Sequence, residues 1–194
     1  MNMEIKQQIE PMDVRVALHP FLAGMKRTHL ALLTDCAVSA EFRPGEIILR
    51  EGELATRVYL LETGRVNLEA KARGHQPAVI DTIGAGDLLG WSCMFPPYVW
   101  HFTARAIEPT GTIFFCGEIL RKYCLRDQTL GYELLKRMMP VMIKRMQRAR
   151  EKLVAVNAGA ASLGPVIVES PFLSRKVDIT STTLADIPFR EGAD

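Results

Sequence analysis

The spacing of hydrophobic residues changes along the chain, and each change predicts a different kind of element. After the breaker pair His19-Pro20, the residues Phe21, Leu22, Met25, Leu30, Leu32 and Leu33 recur at helical intervals, which predicts one or two short amphipathic helices before residue 40. From Ala40 to about Phe115 the pattern becomes short apolar runs with two-residue alternation. Strands are predicted at Ile47–Leu49, Val58–Leu61, Val66–Ala70, Val79–Asp81, Ala104–Ile107 and Thr112–Phe115. Gly45, Gly52, Gly64, Gly74, Gly84, Gly86, Gly90 and Gly111 punctuate these runs, as turns that need a positive φ require. So many short, closely spaced strands predict a sandwich, barrel or jelly roll.

Residues 117–156 return to a helical period. Leu135, Met139, Met142, Met146, Ala149, Leu153 and Val156 follow one another at alternating steps of four and three, which is a coiled-coil seam. Leu134, Met138 and Val141 widen the apolar face at its start, as a helix that also packs on its own domain would need. Pro140 removes one backbone donor inside this helix and is expected to kink it. Two uses fit the seam: a homodimer, or a single helix lying on the β-rich part. The other face carries Lys136, Arg137, Lys144, Arg145, Arg148, Arg150 and Lys152 against Glu151 alone, and reads either as a solvated face or as a docking surface for an acidic partner.

Residues 157–194 hold Gly159, Gly164, Pro165, Pro171 and Pro188 and no sustained period, with apolar knots at Val166–Val168, Phe172-Leu173 and Leu184–Phe189. They read as an extended docking tail that orders on a partner or on its own domain.

Composition narrows the function. The 194 residues are 48% hydrophobic and 24% charged with mean hydropathy +0.06, the range of an ordinary globular domain. Lys plus Arg number 24 against 22 acidic residues, a formal charge of +2 that announces neither a nucleic acid nor a membrane. Cys36, Cys93, Cys116 and Cys124 are far apart with no CxxC and no histidine at zinc spacing, which fits a reducing cytoplasm and excludes a common zinc site. The first residues lack a secretory h-region, and no run approaches the roughly 20 apolar residues of a membrane span. No GxSxG, HExxH, P-loop or GxGxxG occurs, so no catalytic residue, metal or cofactor is expected.

The glycine motifs are more specific. Phe42-Arg43-Pro44-Gly45-Glu46-Ile47-Ile48, Glu51-Gly52-Glu53, Tyr59-Leu60-Leu61-Glu62-Thr63-Gly64-Arg65-Val66 and Gly86-Asp87-Leu88-Leu89-Gly90 follow one another in an order that resembles the cyclic-nucleotide-binding domain superfamily, over about residues 20–156. That resemblance implies a mainly β fold, an eight-stranded β-roll of jelly-roll type flanked by short N-terminal helices and a long C-terminal helix that in the family often forms a parallel dimer. It divides the chain into an N-terminal segment 1–19, a domain 20–156 and the tail 157–194.

The resemblance also implies a phosphate-binding cassette, opened by Gly-Glu for the ribose and closed by Arg with Ser or Thr for the cyclic phosphate. Here the cassette runs from Gly90 through Trp91, Ser92, Phe95, Pro96, Pro97, Tyr98, Trp100, His101, Phe102 and Thr103 to Arg105. Trp91 stands in place of the carboxylate, Trp100 and His101 in place of the arginine and its hydroxyl neighbour, and no arginine lies between Arg73 and Arg105. Each charge-assisted contact is worth about 1.5–3 kcal/mol, so losing both weakens a micromolar cyclic-nucleotide site by a few orders of magnitude.

Gly90, Trp91, Ser92, Tyr98, Trp100, His101 and Thr103 are therefore the candidate pocket residues, and three uses of their rings stay open: filling the vacated pocket, stacking a flat ligand such as a nicotinamide, adenine or flavin, or contacting a protein. The Gly-Trp-Ser start with Phe-Pro-Pro-Tyr and Trp-His-Phe is similar to small accessory subunits of NAD(P)-linked nickel-iron hydrogenases and related flavin and iron-sulfur oxidoreductases. The family's transcription factors add a winged helix-turn-helix whose pattern 157–194 lacks, so DNA binding is not expected. The reading that results is a noncatalytic, cytoplasmic accessory subunit, homodimeric, docking on a larger redox enzyme through tail or basic helix face and sensing a nucleotide. The alternative is a stand-alone cyclic-nucleotide-responsive regulator.

Overall fold

The computed structural model describes residues 10–71 and 77–159, with side chains to Ala155; the tail reading for 157–194 and the seam position Val156 lie outside the described side chains. Chain packing separates Met1–Val156 from Asn157–Asp194.

Helices α1 (Met12–Leu18) and α2 (Arg27–Asp35) flank a 3-10 turn at Pro20–Leu22. They put Val16, Leu22 and Leu33 into the same core as the strands, and Arg15 Nε donates to Glu62 at 2.8 Å. Pro20 opens the turn because its missing N–H is not needed there. His19 stays buried because both ring nitrogens are used: Nδ1 accepts from the Phe21 N–H, which leaves Nε2 as the donor to the Leu61 carbonyl, 3.0 Å away.

The strands are β1 (Ala37–Phe42), β2 (Ile47–Leu49), β3 (Arg57–Leu61), β4 (Arg65–Ala70), β5 (Ala78–Gly84), β6 (Leu88–Leu89), β7 (Thr103–Ala106) and β8 (Thr110–Cys116). They form two four-stranded antiparallel sheets, ordered β1-β8-β3-β6 and β2-β7-β4-β5. The eight-stranded roll with short helices before it and a long helix after it is thus present. Its interior takes the inward members of the alternating runs, such as Val66 and Leu68 of β4, while β3 and β6 bury consecutive residues, Leu60 with Leu61 and Leu88 with Leu89, because both of their faces are covered.

The helical region after β8 is two helices, α3 (Gly117–Arg126) and α4 (Gln128–Gly159). The break falls at Asp127, whose Oδ1 accepts from the Thr129 and Leu130 N–H groups, as an N-cap does. α4 continues through Pro140. The stripe Leu130, Leu134 and Met138 is buried on the roll, whereas Leu135, Met139, Met146 and Leu153 of the seam are 40%, 45%, 67% and 51% exposed. The helix therefore has two apolar stripes, of which its own domain covers one.

Candidate functional site

The cassette occupies the link between β6 and β7. Gly90 turns it with φ +84°, and a Cβ there would lie 2.5 Å from the Arg57 carbonyl oxygen and 3.2 Å from the Trp100 ring, so no other residue fits without displacing backbone. A 3-10 turn at Trp91–Met94 follows. Trp100 is buried beneath Gly90 and its backbone is pinned on both sides, its N–H donating to Glu53 and its carbonyl accepting from Gly52. From α3, Arg121 donates to the Cys93 carbonyl and lies over the Tyr98 ring, 4.5 Å from its centroid.

A cleft of about 560 Å³ separates this cassette from α4. The roll contributes Leu68, Ile80, Asp81, Trp91, His101 and Phe102, and α4 contributes Met139, Met142, Ile143, Arg145, Met146 and Ala149. The Trp91 ring stands 6.3 Å from that of His101 with 39° between the planes, and also neighbours Phe95. Of the candidate pocket residues, Trp91 and His101 line this cleft. Ser92 and Trp100 are buried in the core, Gly90 is the buried turn, and Thr103 Oγ1 accepts from the Glu51 N–H. Tyr98 belongs to a separate groove with Phe95, Arg121 and Leu134. A larger and more polar depression near Phe42, Pro44 and Pro109 contains none of the cassette residues.

The basic face of α4 is largely committed to its own chain. Arg137 and Lys136 pair with Glu133; Arg137 also reaches the Ala23 carbonyl, Arg145 donates to the Leu88 carbonyl, Arg148 meets Asp81, and Lys152 donates to the Ile80 carbonyl at 2.8 Å. Four cationic side chains thus reach from the helix back to the rest of the domain, three of them onto β5 and β6. Arg137, Arg145 and Arg148 are half-buried by these contacts, whereas Lys136, Lys144, Arg150 and Lys152 stay exposed, as the solvated-face reading expects.

Sequence reasoning missed Arg145 as a cleft residue. Its position was visible, because it stands three residues after Met142 and next to Met146, but its direction toward Leu88 depends on how the helix docks. Burial pulls its guanidinium below the ordinary arginine range against the opposing pull of Asp87 and Asp81. Two buried donors on cleft residues, Arg145 Nη1 and Trp91 Nε1, have no hydrogen-bond acceptor among the described residues. Asp81, in contrast, is satisfied by Arg148 and the Thr82 N–H.

Thiol chemistry is disfavoured by the same burial, which pushes Cys93 up to about 12 and Cys36 up to about 11. Among the described residues no group of His, Cys, Asp or Glu could hold a metal, and no helix is long and apolar enough to cross a membrane.

Residues 39–127 match the cyclic nucleotide-binding domain family. The chain is 22% identical over 142 residues to a CRP-like cAMP-activated global transcriptional regulator of Mycobacterium tuberculosis, a match covering 73% of this chain and 62% of that protein's length. A crystal structure described as a cyclic nucleotide-binding protein from Geobacter metallireducens superposes with TM-score 0.61 at 25% identity, covering 71% of this chain and 98% of the other. The catabolite activator protein of Thermus thermophilus gives 0.57 at 20% identity, covering 71% and 63%. The two solved structures share the fold described above.

Proposed function

We propose that the chain is a noncatalytic regulatory subunit whose cleft between cassette and long helix takes a flat ligand, and that it docks on a larger redox enzyme of the hydrogenase or flavin and iron-sulfur oxidoreductase class. The observation that carries the ligand part is the composition of the cleft: one wall comes from the cassette, with Trp91 at the place of the family's ribose carboxylate and His101 at that of the hydroxyl beside its arginine, and the other wall comes from α4. A ligand touching both walls and binding one packing of α4 better than another shifts the helix toward that packing, which carries the signal to a partner.

The seam supports a homodimer through residues 130–156, since Leu135 and Leu153 are exposed outside the cleft, while Met139 and Met146 between them are exposed and also line the cleft. The redox partner is supported by the likeness of the cassette to hydrogenase-associated subunits. With most of the basic face engaged within the domain, residues 157–194 are the better candidate for the docking element. A second reading, a cyclic-nucleotide-responsive regulator, is favoured by the match over residues 39–127.

Two measurements on the full chain test the proposal. Native purification with a tag is expected to bring down a flavin or iron-sulfur subunit in fixed stoichiometry, and removal of residues 157–194 to abolish this. NADH or NADPH is expected to raise the melting temperature of the isolated chain. Stabilisation by cyclic AMP alone, with no co-purifying redox subunit, would replace this reading with the second one.

A further inference from the structure

The ladder between β1 and β8 ends beside a pair of cysteines. Its terminal opposed residues are Ala37 and Phe115, so the next position sets Cys36, the C-cap of α2, across from Cys116, the N-cap of α3. We infer that Cys36 and Cys116 form a redox modification site, which closes to a disulfide when a small-molecule disulfide is in excess and so staples the end of α2 to the start of α3. This goes beyond the ligand and partner readings and rests on neither.

Opposed residues of an antiparallel ladder share one face with their Cα atoms about 4.5–5.5 Å apart, and a disulfide spans Cα separations of about 4.4–6.8 Å, so the register supplies the geometry the bond needs. Both thiols are free and half-buried. Cys116 is also among the groups that raise the Cys36 pKa, a Coulombic effect that places the two sulfurs near one another. The Cys36 Sγ contacts the Leu32 and Leu33 carbonyls at 3.6 and 3.4 Å, weak thiol bonds that a rotation about χ1 releases. Cys93 is a poorer partner for Cys116, because it is fully buried and a Cβ on Gly117 would lie only 2.7 Å from its sulfur, which leaves that sulfur little room to turn.

The exchange balances in two steps. The Cys116 thiolate attacks one sulfur of R–S–S–R, forming a mixed disulfide and releasing RS⁻. Cys36 then gives up its proton and displaces the second RS⁻ from the Cys116 sulfur. Two protein thiols are thus oxidised and one small disulfide is reduced to two thiols, which take up both protons. Burial pushes the Cys36 thiol up to about 11, so the first attack belongs to Cys116, and proximity drives the second. In a reducing compartment the pair stays open, and its closure reports a rise in oxidant. The consequence falls on α3. His29 of α2 already meets the far end of that helix, with Nε2 3.1 Å from Asp127 Oδ2, and Arg121 between the two ends holds the Cys93 carbonyl and the Tyr98 ring. A bond at Cys116 fixes α3 at both ends, and with it the anchor of the cassette.

The test incubates the reduced full chain with glutathione disulfide, alkylates the remaining thiols and maps the peptides by mass spectrometry. The inference expects a Cys36–Cys116 cross-linked peptide as the main product, released by dithiothreitol. It also expects a melting temperature about 5 °C or more above that of the reduced chain, and slower hydrogen exchange over residues 117–126. Cys36→Ser should abolish all three and leave Cys116 as a mixed disulfide with glutathione. Cys93→Ala and Cys124→Ser should keep all three, with melts of the reduced variants showing that each folds. A bond from Cys116 to Cys93, a mixed disulfide that never resolves in the parent chain, or no reaction at all overturns the inference. A Cys36–Cys116 bond that leaves exchange over 117–126 unchanged overturns the hold on α3 while supporting the site. Neither a nucleotide nor a partner enters this experiment, so its failure is distinct from theirs.

Discussion

Arg148 on the long helix reaches Asp81 on β5, with Nη1 3.3 Å from Oδ2, and the pair fastens α4 to the roll beside the cleft. The carboxylate is nearly buried and the guanidinium about a third exposed, so solvent screens part of the attraction and the contact is worth on the order of 1 kcal/mol. Replacing either partner should loosen residues 140–155 without unfolding the roll. Hydrogen exchange is expected to speed up in that stretch in Asp81→Asn and Arg148→Met while β3 and β8 stay protected, and a double-mutant cycle should return a coupling of about 0.5–1 kcal/mol.

Gly90 should tolerate no side chain. Its φ of +84° disfavours any L-residue, and the added Cβ meets the Arg57 carbonyl at 2.5 Å. Gly90→Ala is expected to cost about 2–4 kcal/mol in urea denaturation, combining backbone strain with displacement of Trp100. Gly52→Ala, where a Cβ meets nothing within 4 Å, should cost only the strain, about 1–2 kcal/mol.

His19 ties stability to pH. Burial lowers its pKa in the folded protein, outweighing the Leu61 carbonyl that raises it. Above about pH 6.5 the ring is neutral in both folded and unfolded chains. As pH falls below that value the unfolded chain gains a proton first, so stability drops from about pH 6.5 down to the lowered folded pKa. Equilibrium unfolding between pH 7.5 and 5 should show this loss, and His19→Gln should flatten it in that window.

The proposed dimer is tested at a seam position outside the cleft, since Met139, Met142, Met146 and Ala149 of the seam also line the cleft. Leu153 is half exposed and does not line the cleft. Leu153→Glu is expected to convert a dimer to a monomer in sedimentation equilibrium while leaving the roll's circular dichroism and melting temperature within a few degrees of the parent. A monomeric parent chain would remove the dimer from the account.

Much of this architecture was legible in the sequence where hydrophobic contrast is strong. The strands around Val58–Leu61, Val66–Ala70 and Thr112–Phe115 stand out because their inward residues are large and apolar. β1 does not, because Ala37–Phe42 mixes small and polar residues at partly exposed positions, and β6 is too short to carry a period. The break between α3 and α4 was marked by Asp127 before Thr129, a capping signal hidden inside a run with unbroken helical spacing. For the cleft, the aromatic cluster marked Trp91 and His101, but sequence proximity also grouped them with Tyr98, Ser92 and Trp100, which the turn at Gly90 and the anchor from Arg121 send elsewhere. The inward reach of Arg145, Arg148 and Lys152 was illegible because a charged helix face looks solvated until the sheet it rests against is known.

The central claim, that this cleft has exchanged the cyclic phosphate site for a different ligand, is tested most directly by calorimetric titration of the full chain with cyclic AMP. The account predicts no binding in the micromolar range, since the proposed reading of the cassette sets Trp91 and Trp100 where the family's carboxylate and arginine would stand. Micromolar cyclic AMP binding that Trp91→Ala abolishes would contradict it.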